Sequence, residues 1–126
     1  MSTDKTAIAD LLGRMMAREY YVIENRMRAD PSELGPHLEA HLRFMIALEK
    51  DGTLFLSGPL YDRDDRMTGD GITVVRAASI DEAEEIAQRD PFVQAGLREP
   101  RVSKWVVNEG RIALSIDLSD KSAALD

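Results

Sequence analysis

Between Glu19 and Val107 the spacing of apolar residues changes in the order strand, helix, strand, strand, helix, strand, and that order constrains the fold more than any single residue does. Glu19 to Arg26 alternates Tyr20 and Val22 against Tyr21 and Ile23, which predicts a first strand partly buried on both faces. Asp30-Pro31-Ser32-Glu33 is a helix start: Asp30 is placed as N-cap, Pro31 fits the first helical position, and Glu33 follows three residues after the cap. That helix is predicted to reach about Asp51, where Gly52 can take the left-handed turn, with Gly35-Pro36 kinking or separating its first turn. Thr53 to Leu60 reads as a second strand closed by Gly58-Pro59, Tyr61 to Asp70 as a long polar loop, and Ile72 to Ala77 as a third strand. Ser79-Ile80-Asp81-Glu82 has the pattern of a capping box for a short helix with Ala83, Ile86 and Ala87 on its apolar face. Asp90-Pro91 restarts a helical turn that stops at Gly96, and Arg101 to Val107 returns to strand character.

This β-α-β-β-α-β order predicts an α+β, ferredoxin-like fold in which two helices cover one face of an antiparallel sheet. A sheet apolar on both faces but covered on one calls for a second copy, so a homodimer with sheets packed face to face is expected. Thr3 to Ala17 adds a predicted N-terminal helix, and Ile112 to Leu118 alternates as an extra C-terminal strand beyond the Asn108-Glu109-Gly110 turn, with a frayed tail from Ser119. The expected organisation is one domain over 1–126: a core at about 19–109, a helical extension at 1–18 and an additional strand at 111–118.

Charge and composition narrow the function classes. With 16 Lys and Arg against 23 Asp and Glu, the net charge of −7 opposes a nucleic-acid partner, whose phosphates draw affinity from clustered cations. The absence of cysteine removes disulfides, thiolate metal sites and thiol nucleophiles. Asp4 and Asp10 interrupt the N-terminal stretch, which lacks the layout of a secretory signal, and no run of apolar residues has the length of a membrane span; a cytoplasmic protein without membrane contact is expected.

On a helical wheel set at Leu34, Leu38 falls near ~40°, His41 near ~−20°, Met45 near ~20° and Leu48 near ~−40°. His41 therefore points with the core side chains, whereas Arg43 faces away. One account is a neutral imidazole satisfied by a backbone carbonyl. The other is a general acid/base in an apolar cavity with a carboxylate beside it, and Asp90 offers the partner. Asp90 also has a plain reading as the N-cap before Pro91, the device used at Asp30-Pro31; a carboxylate has two oxygens and can do both.

Other constellations are weaker. His37 and His41 stand four apart without the neighbouring Glu or third ligand of a zinc site, so no metal is expected. In the acidic loop Asp62, Asp64, Asp65 and Asp70 suggest calcium, yet Arg66 and Thr73 fall where oxygen ligands are required. Gly69-Asp70-Gly71 precedes no helix and cradles no phosphate, and no G-x-S-x-G elbow is present, so no organic cofactor and no serine-hydrolase chemistry are expected. Trp105 with Tyr20, Tyr21 and Tyr61 offers surfaces for a flat ligand, although aromatic residues on strands more often serve the core.

The set His41-Leu42-Arg43, Asp51-Gly52-Thr53-Leu54, Ser57-Gly58-Pro59, Ala83 in its capped helix, Asp90-Pro91-Phe92 and Ala95-Gly96 resembles the YciI-like (YCII-related) family over roughly Glu19 to Glu109. The resemblance implies a dimeric α+β barrel of ferredoxin-like subunits, related in fold to muconolactone isomerase, with a His/Asp pair in a pocket of each subunit. It assigns the catalytic roles to His41 and Asp90; Ser57, Gly58 and Pro59, which carry the resemblance, and Trp105, from its aromatic surface, are the candidate substrate-binding residues. One branch of the family resembles dehydrochlorinases of chlorinated hydroxyhydroquinones, so the implied activity is of lyase or isomerase type: proton transfer or dehydrochlorination on an aromatic or enolic small molecule. The competing expectations are a ligand-binding module without turnover, and a structural dimer in which the pair only satisfies buried polar groups. The N-terminal helix, the 61–70 loop and the strand after Gly110 depart from the short family form.

Overall fold

A computed structural model describes residues 4–125. They cluster into two compact units, one at Glu19–Val106 and one from the described residues of Met1–Arg18 and Val107–Asp126.

The larger unit is α+β. Strand β1 spans Arg18–Met27, a 3₁₀ turn Pro31–Leu34, helix α2 Gly35–Lys50, β2 Leu54–Tyr61, β3 Met67–Val75, α3 Ile80–Gln88, α4 Pro91–Gln94 and β4 Arg98–Val107; helix α1, Lys5–Leu12, precedes them in the chain. The sheet order is β2-β3-β1-β4, the ferredoxin-like arrangement, with β3 antiparallel to both β1 and β2. Registers of Ile23 with Thr73 and of Ser57 with Thr73 put these three on one face, because opposed residues in an antiparallel pair point the same way. That face meets the helices: Tyr21, Ile23 and Val75 pack with Met45 and Leu48 of α2 and with Ala83 and Ile86 of α3. Burying an apolar side chain of this size contributes about 1.5–3 kcal/mol. Leu34, Phe92 and Leu97 form a second buried cluster beside α2. On the opposite face Leu56 and Ile72 are exposed at 55% and 37%.

The local signals act largely as expected. Asp30 and Glu33 close a reciprocal capping box, Pro36 opens α2 after the separate 3₁₀ turn, and Gly52 sits at φ 85°. Four expectations are corrected. Strand β2 does not stop at Gly58-Pro59 but continues to Tyr61; β2 is an edge strand, where the missing N–H of Pro59 costs no ladder bond. Strand β3 begins at Met67, so the connection is Asp62–Arg66 rather than ten residues, closed by the Asp62 carboxylate accepting from the backbone N–H of Asp64 and Arg66. Strand β4 starts at Arg98, earlier than Arg101. Ser79 caps Glu82, but the Glu82 carboxylate returns to the N–H of Ala78, not to that of Ser79, so the box is not reciprocal.

In the smaller unit, α1 is capped by Asp4, whose Oδ1 accepts from Thr6 and Ala7. It ends at Gly13, well short of Ala17, whose φ of 53° is incompatible with a continuing helix. Thr3, where that helix was expected to start, lies outside the described residues. The C-terminal strand, β5 at Leu114–Asp117, pairs with β6 at Ser122–Leu125 in a two-stranded sheet of its own. The tail after Ser119 is therefore a hairpin arm and not frayed, its turn closed by Lys121 at φ 51°.

Candidate active site

His41 lies in the middle of α2, and the N-terminus of α4 brings Asp90 to it. Asp90 is the N-cap of α4, with extended backbone at φ −61° and ψ 126°. Its Oδ1 accepts from the backbone N–H of Phe92 at 2.9 Å and stands 2.8 Å from Nδ1 of His41. An ionised carboxylate can only accept, so Nδ1 carries a proton and donates to it, and in the neutral imidazole that tautomer leaves the Nε2 lone pair free. Capping and orienting thus fall on one oxygen, not on two. The imidazole also stacks on Phe92, centroids 4.1 Å apart and planes 16° from parallel. Side-chain exposures of 13% for His41 and 6% for Asp90 mark a nearly dry pair.

A cleft of about 770 Å³ opens beside the pair, between α2 and the β2–β3 end of the sheet. Its α2 wall is apolar, with Leu38, Leu42, Met45 and Ile46 beside His41, and its sheet wall carries Ser57, Gly58, Pro59 and Thr73. Ser57 Oγ and Thr73 Oγ1 are 3.1 Å apart. Of the residues expected from sequence, His41, Ser57, Gly58 and Pro59 line this cleft, and Asp90 reaches it through His41. Trp105 does not line it: it lies on β4, at the sheet edge opposite β2, and is 41% exposed. Tyr20 and Tyr21 are core residues, and Tyr61 is exposed outside the cleft.

Arg98 is the cleft residue that sequence reasoning missed. Only 8% exposed, it donates from Nε to the carbonyl of Gly69 at 2.8 Å, and its guanidinium carbon stands 4.8 Å from the centroid of the Phe92 ring. A Cβ at Gly71 would come within 3.3 Å of its Nη1, so a glycine there gives the side chain its path. Burial lowers the Arg98 pKa from its ordinary value, while the charges of Asp90 and Asp70 act in the opposite direction. Among the described residues Arg98 makes no close ion pair with a carboxylate. Its side chain lines the cleft. The only detectable signal in the sequence would have been a cation between two apolar segments, Leu97 and Val102, which is too common to single out.

An imidazole, a carboxylate bonded to its Nδ1, a buried guanidinium and an apolar slot meet in a small α+β protein. The chain belongs to the family described as the YCII-related domain, whose model matches residues 18–106. A relative, the uncharacterized protein YjpA of Bacillus subtilis (strain 168), is 35% identical over 69 residues, covering 55% of this chain and 75% of YjpA. Among solved structures, 5-chloro-2-hydroxyhydroquinone dehydrochlorinase (TftG) from Burkholderia phenoliruptrix AC1100, in complex with 2,5-dihydroxybenzoquinone, is similar with a TM-score of 0.58 and 25% identity. The match covers 68% of this chain and 92% of TftG. No helix among the described residues is long and apolar enough to cross a membrane.

Proposed function

We propose that this protein is a small-molecule enzyme of lyase or isomerase type, in which His41 moves a proton on an aromatic or enolic substrate and Asp90 orients it. The observation that carries the reading is the placement of His41 on the cleft wall with Nδ1 held by Asp90. In the proposed step, Nε2 takes a proton from the substrate, and the electron pair released either shifts along the conjugated system or expels chloride, giving net loss of HCl in the second case. The imidazolium is stabilised by the Asp90 carboxylate, and negative charge building on a substrate oxygen is met by Arg98. Ser57, Gly58 and Pro59 form the opposite wall against which the substrate lies. The name of TftG, a dehydrochlorinase of a hydroxylated aromatic, supports this substrate class.

The test is turnover of a panel of hydroxylated and chlorinated aromatics by the wild type and by His41→Ala. A loss of about 10²–10⁴-fold is expected, the usual worth of a positioned acid/base group. Equal rates would remove His41 from the reaction, and tight binding of the panel without turnover would make the cleft a ligand-binding site instead.

The whole chain is proposed to work as one YciI-like domain, 1–126, that dimerises through the sheet face bearing Leu56 and Ile72. Sedimentation should give twice the 14.1 kDa chain mass; a monomer at every concentration would end that proposal.

A further inference from the structure

We propose that a single internal water is bound between Asn25, Thr73 and Asp90, and that it ties the second oxygen of Asp90 to the Thr73–Ser57 hydroxyl pair. Beside the cleft lies a small pocket of about 10 Å³, lined by these three polar residues among apolar ones such as Ile23, Met45 and Ile86. A cavity of that size admits one water centre, and three polar partners match the two to four hydrogen bonds that a buried water makes. Asn25 is 3% exposed, and its Oδ1 is buried with no donor among the described residues. Natural proteins rarely leave such an acceptor unmet. Asp90 Oδ1 is already shared between Phe92 N–H and His41 Nδ1–H, which leaves Oδ2 for a further donor.

One arrangement of protons gives a donor to both the amide oxygen and the carboxylate. The water donates to Asn25 Oδ1 and to Asp90 Oδ2, and accepts from the Thr73 hydroxyl, which in turn accepts from Ser57, 3.1 Å away. Thr73 lines both the cavity and the cleft, so this chain of donors runs from the cleft wall to the back of the His41–Asp90 pair. Each donor favours the ionised carboxylate. Ser57, having spent its proton on Thr73, faces the cleft as an acceptor, which favours a ligand presenting an O–H group. Asn25 and Thr73 are then positioning residues for Asp90. The water site itself does not depend on whether the protein turns over a substrate.

The experiment combines a high-resolution crystal structure with NMR titration of the His41 imidazole in wild type, Asn25→Leu, Thr73→Val and Thr73→Ser. A water peak within hydrogen-bond distance of all three residues is expected in the wild type and not in Asn25→Leu. Removing a donor from Asp90 destabilises the state with neutral imidazole and bare carboxylate, so the His41 midpoint should rise in Asn25→Leu and Thr73→Val. Thr73→Ser, which keeps the hydroxyl, should titrate like the wild type. The other charges around the pair, Arg98 with Asp70 beside it and Glu49 on α2, are common to all four proteins. If Asn25→Leu does not fold, the Thr73→Val and Thr73→Ser pair still decides. A direct Asn25–Asp90 hydrogen bond without water, or one midpoint shared by all variants, would overturn the proposal.

Discussion

The His41 imidazole lies flat on the Phe92 ring, and one oxygen of Asp90 holds both, through Nδ1 of the one and the backbone N–H of the other. The Asp90-Pro91-Phe92 tripeptide thus starts a helix, fixes an imidazole tautomer and supplies the surface on which the ring rests. Because Pro91 has no N–H to satisfy and a φ already suited to the first helical position, this start is rigid at little entropic cost. Asp90 therefore acts on stability as a cap and on the imidazole as a charge.

Asp90→Asn and Asp90→Ala separate those two effects. Asn caps helices about as well as Asp, so Asp90→Asn should stay close to wild type in urea unfolding, while Asp90→Ala should lose about 0.5–2 kcal/mol with the cap. Both remove the negative charge beside His41, so both should lower its NMR titration midpoint. An Asn variant that titrates like wild type would show that the carboxylate charge does not reach the imidazole.

Phe92 is 2% exposed and packs with Leu34 and Leu97. Phe92→Ala should cost about 3–5 kcal/mol, the range for truncating a buried aromatic side chain. Phe92→Leu keeps most of the volume but not the stacking surface for His41 or the ring beneath Arg98. It should remain folded by circular dichroism and lose more activity than stability. Activity matching the wild type in the Leu variant would reduce the ring to a space-filler.

His41 and Asp90 were each legible as local signals, a polar residue in an apolar helical stripe and Asp before Pro at a helix start, whereas their pairing came only from the family resemblance. The ferredoxin-like order was legible for the same reason, since periodicity and caps are properties of short segments. Arg98 and the true length of the β2–β3 hairpin were not. Residues Met67 to Gly71 read as loop because they are polar and glycine-rich, and only pairing with β2, set by contacts such as Pro59 with Gly71, makes them strand. Arg98 becomes a cleft residue because Gly71, 27 positions earlier, leaves room for it and the Gly69 carbonyl, 29 positions earlier, anchors it, a long-range condition without a periodic trace. Trp105 was misplaced by the opposite error, since aromatic character on a strand says nothing about which sheet edge the strand occupies.

Two glycines of the hairpin should respond differently to alanine. Gly69 has φ 90°, and a Cβ there would stand 2.2 Å from Cγ of Met27. Gly69→Ala should therefore destabilise by about 1–3 kcal/mol, the scale of a residue held in a sparsely populated region, and disturb the Arg98 anchor on its carbonyl. Gly58 has no such φ and open space around its Cβ position, so Gly58→Ala should be neutral in stability. Chemical denaturation of both variants decides, and equal losses would contradict this assignment.

Two carboxylates, Asp30 before the 3₁₀ turn and Asp51 after α2, tie stability to strongly acid pH. The Ser32 side chain, then its backbone N–H, lowers the Asp30 pKa from its ordinary 3.8, and the Thr53 side chain and backbone do the same for Asp51. A carboxylate depressed in the folded state binds protons more readily when unfolded, so its contribution is present in full above 3.8 and is lost as pH falls through the lower folded value. Asp30→Ala should then melt below wild type by a margin that is constant from neutral pH down to about 3.8 and narrows only beneath it. The same course is expected for Asp51→Ala. A margin that already closes near neutral pH would mean that some other group carries the difference, since neither carboxylate changes its charge there.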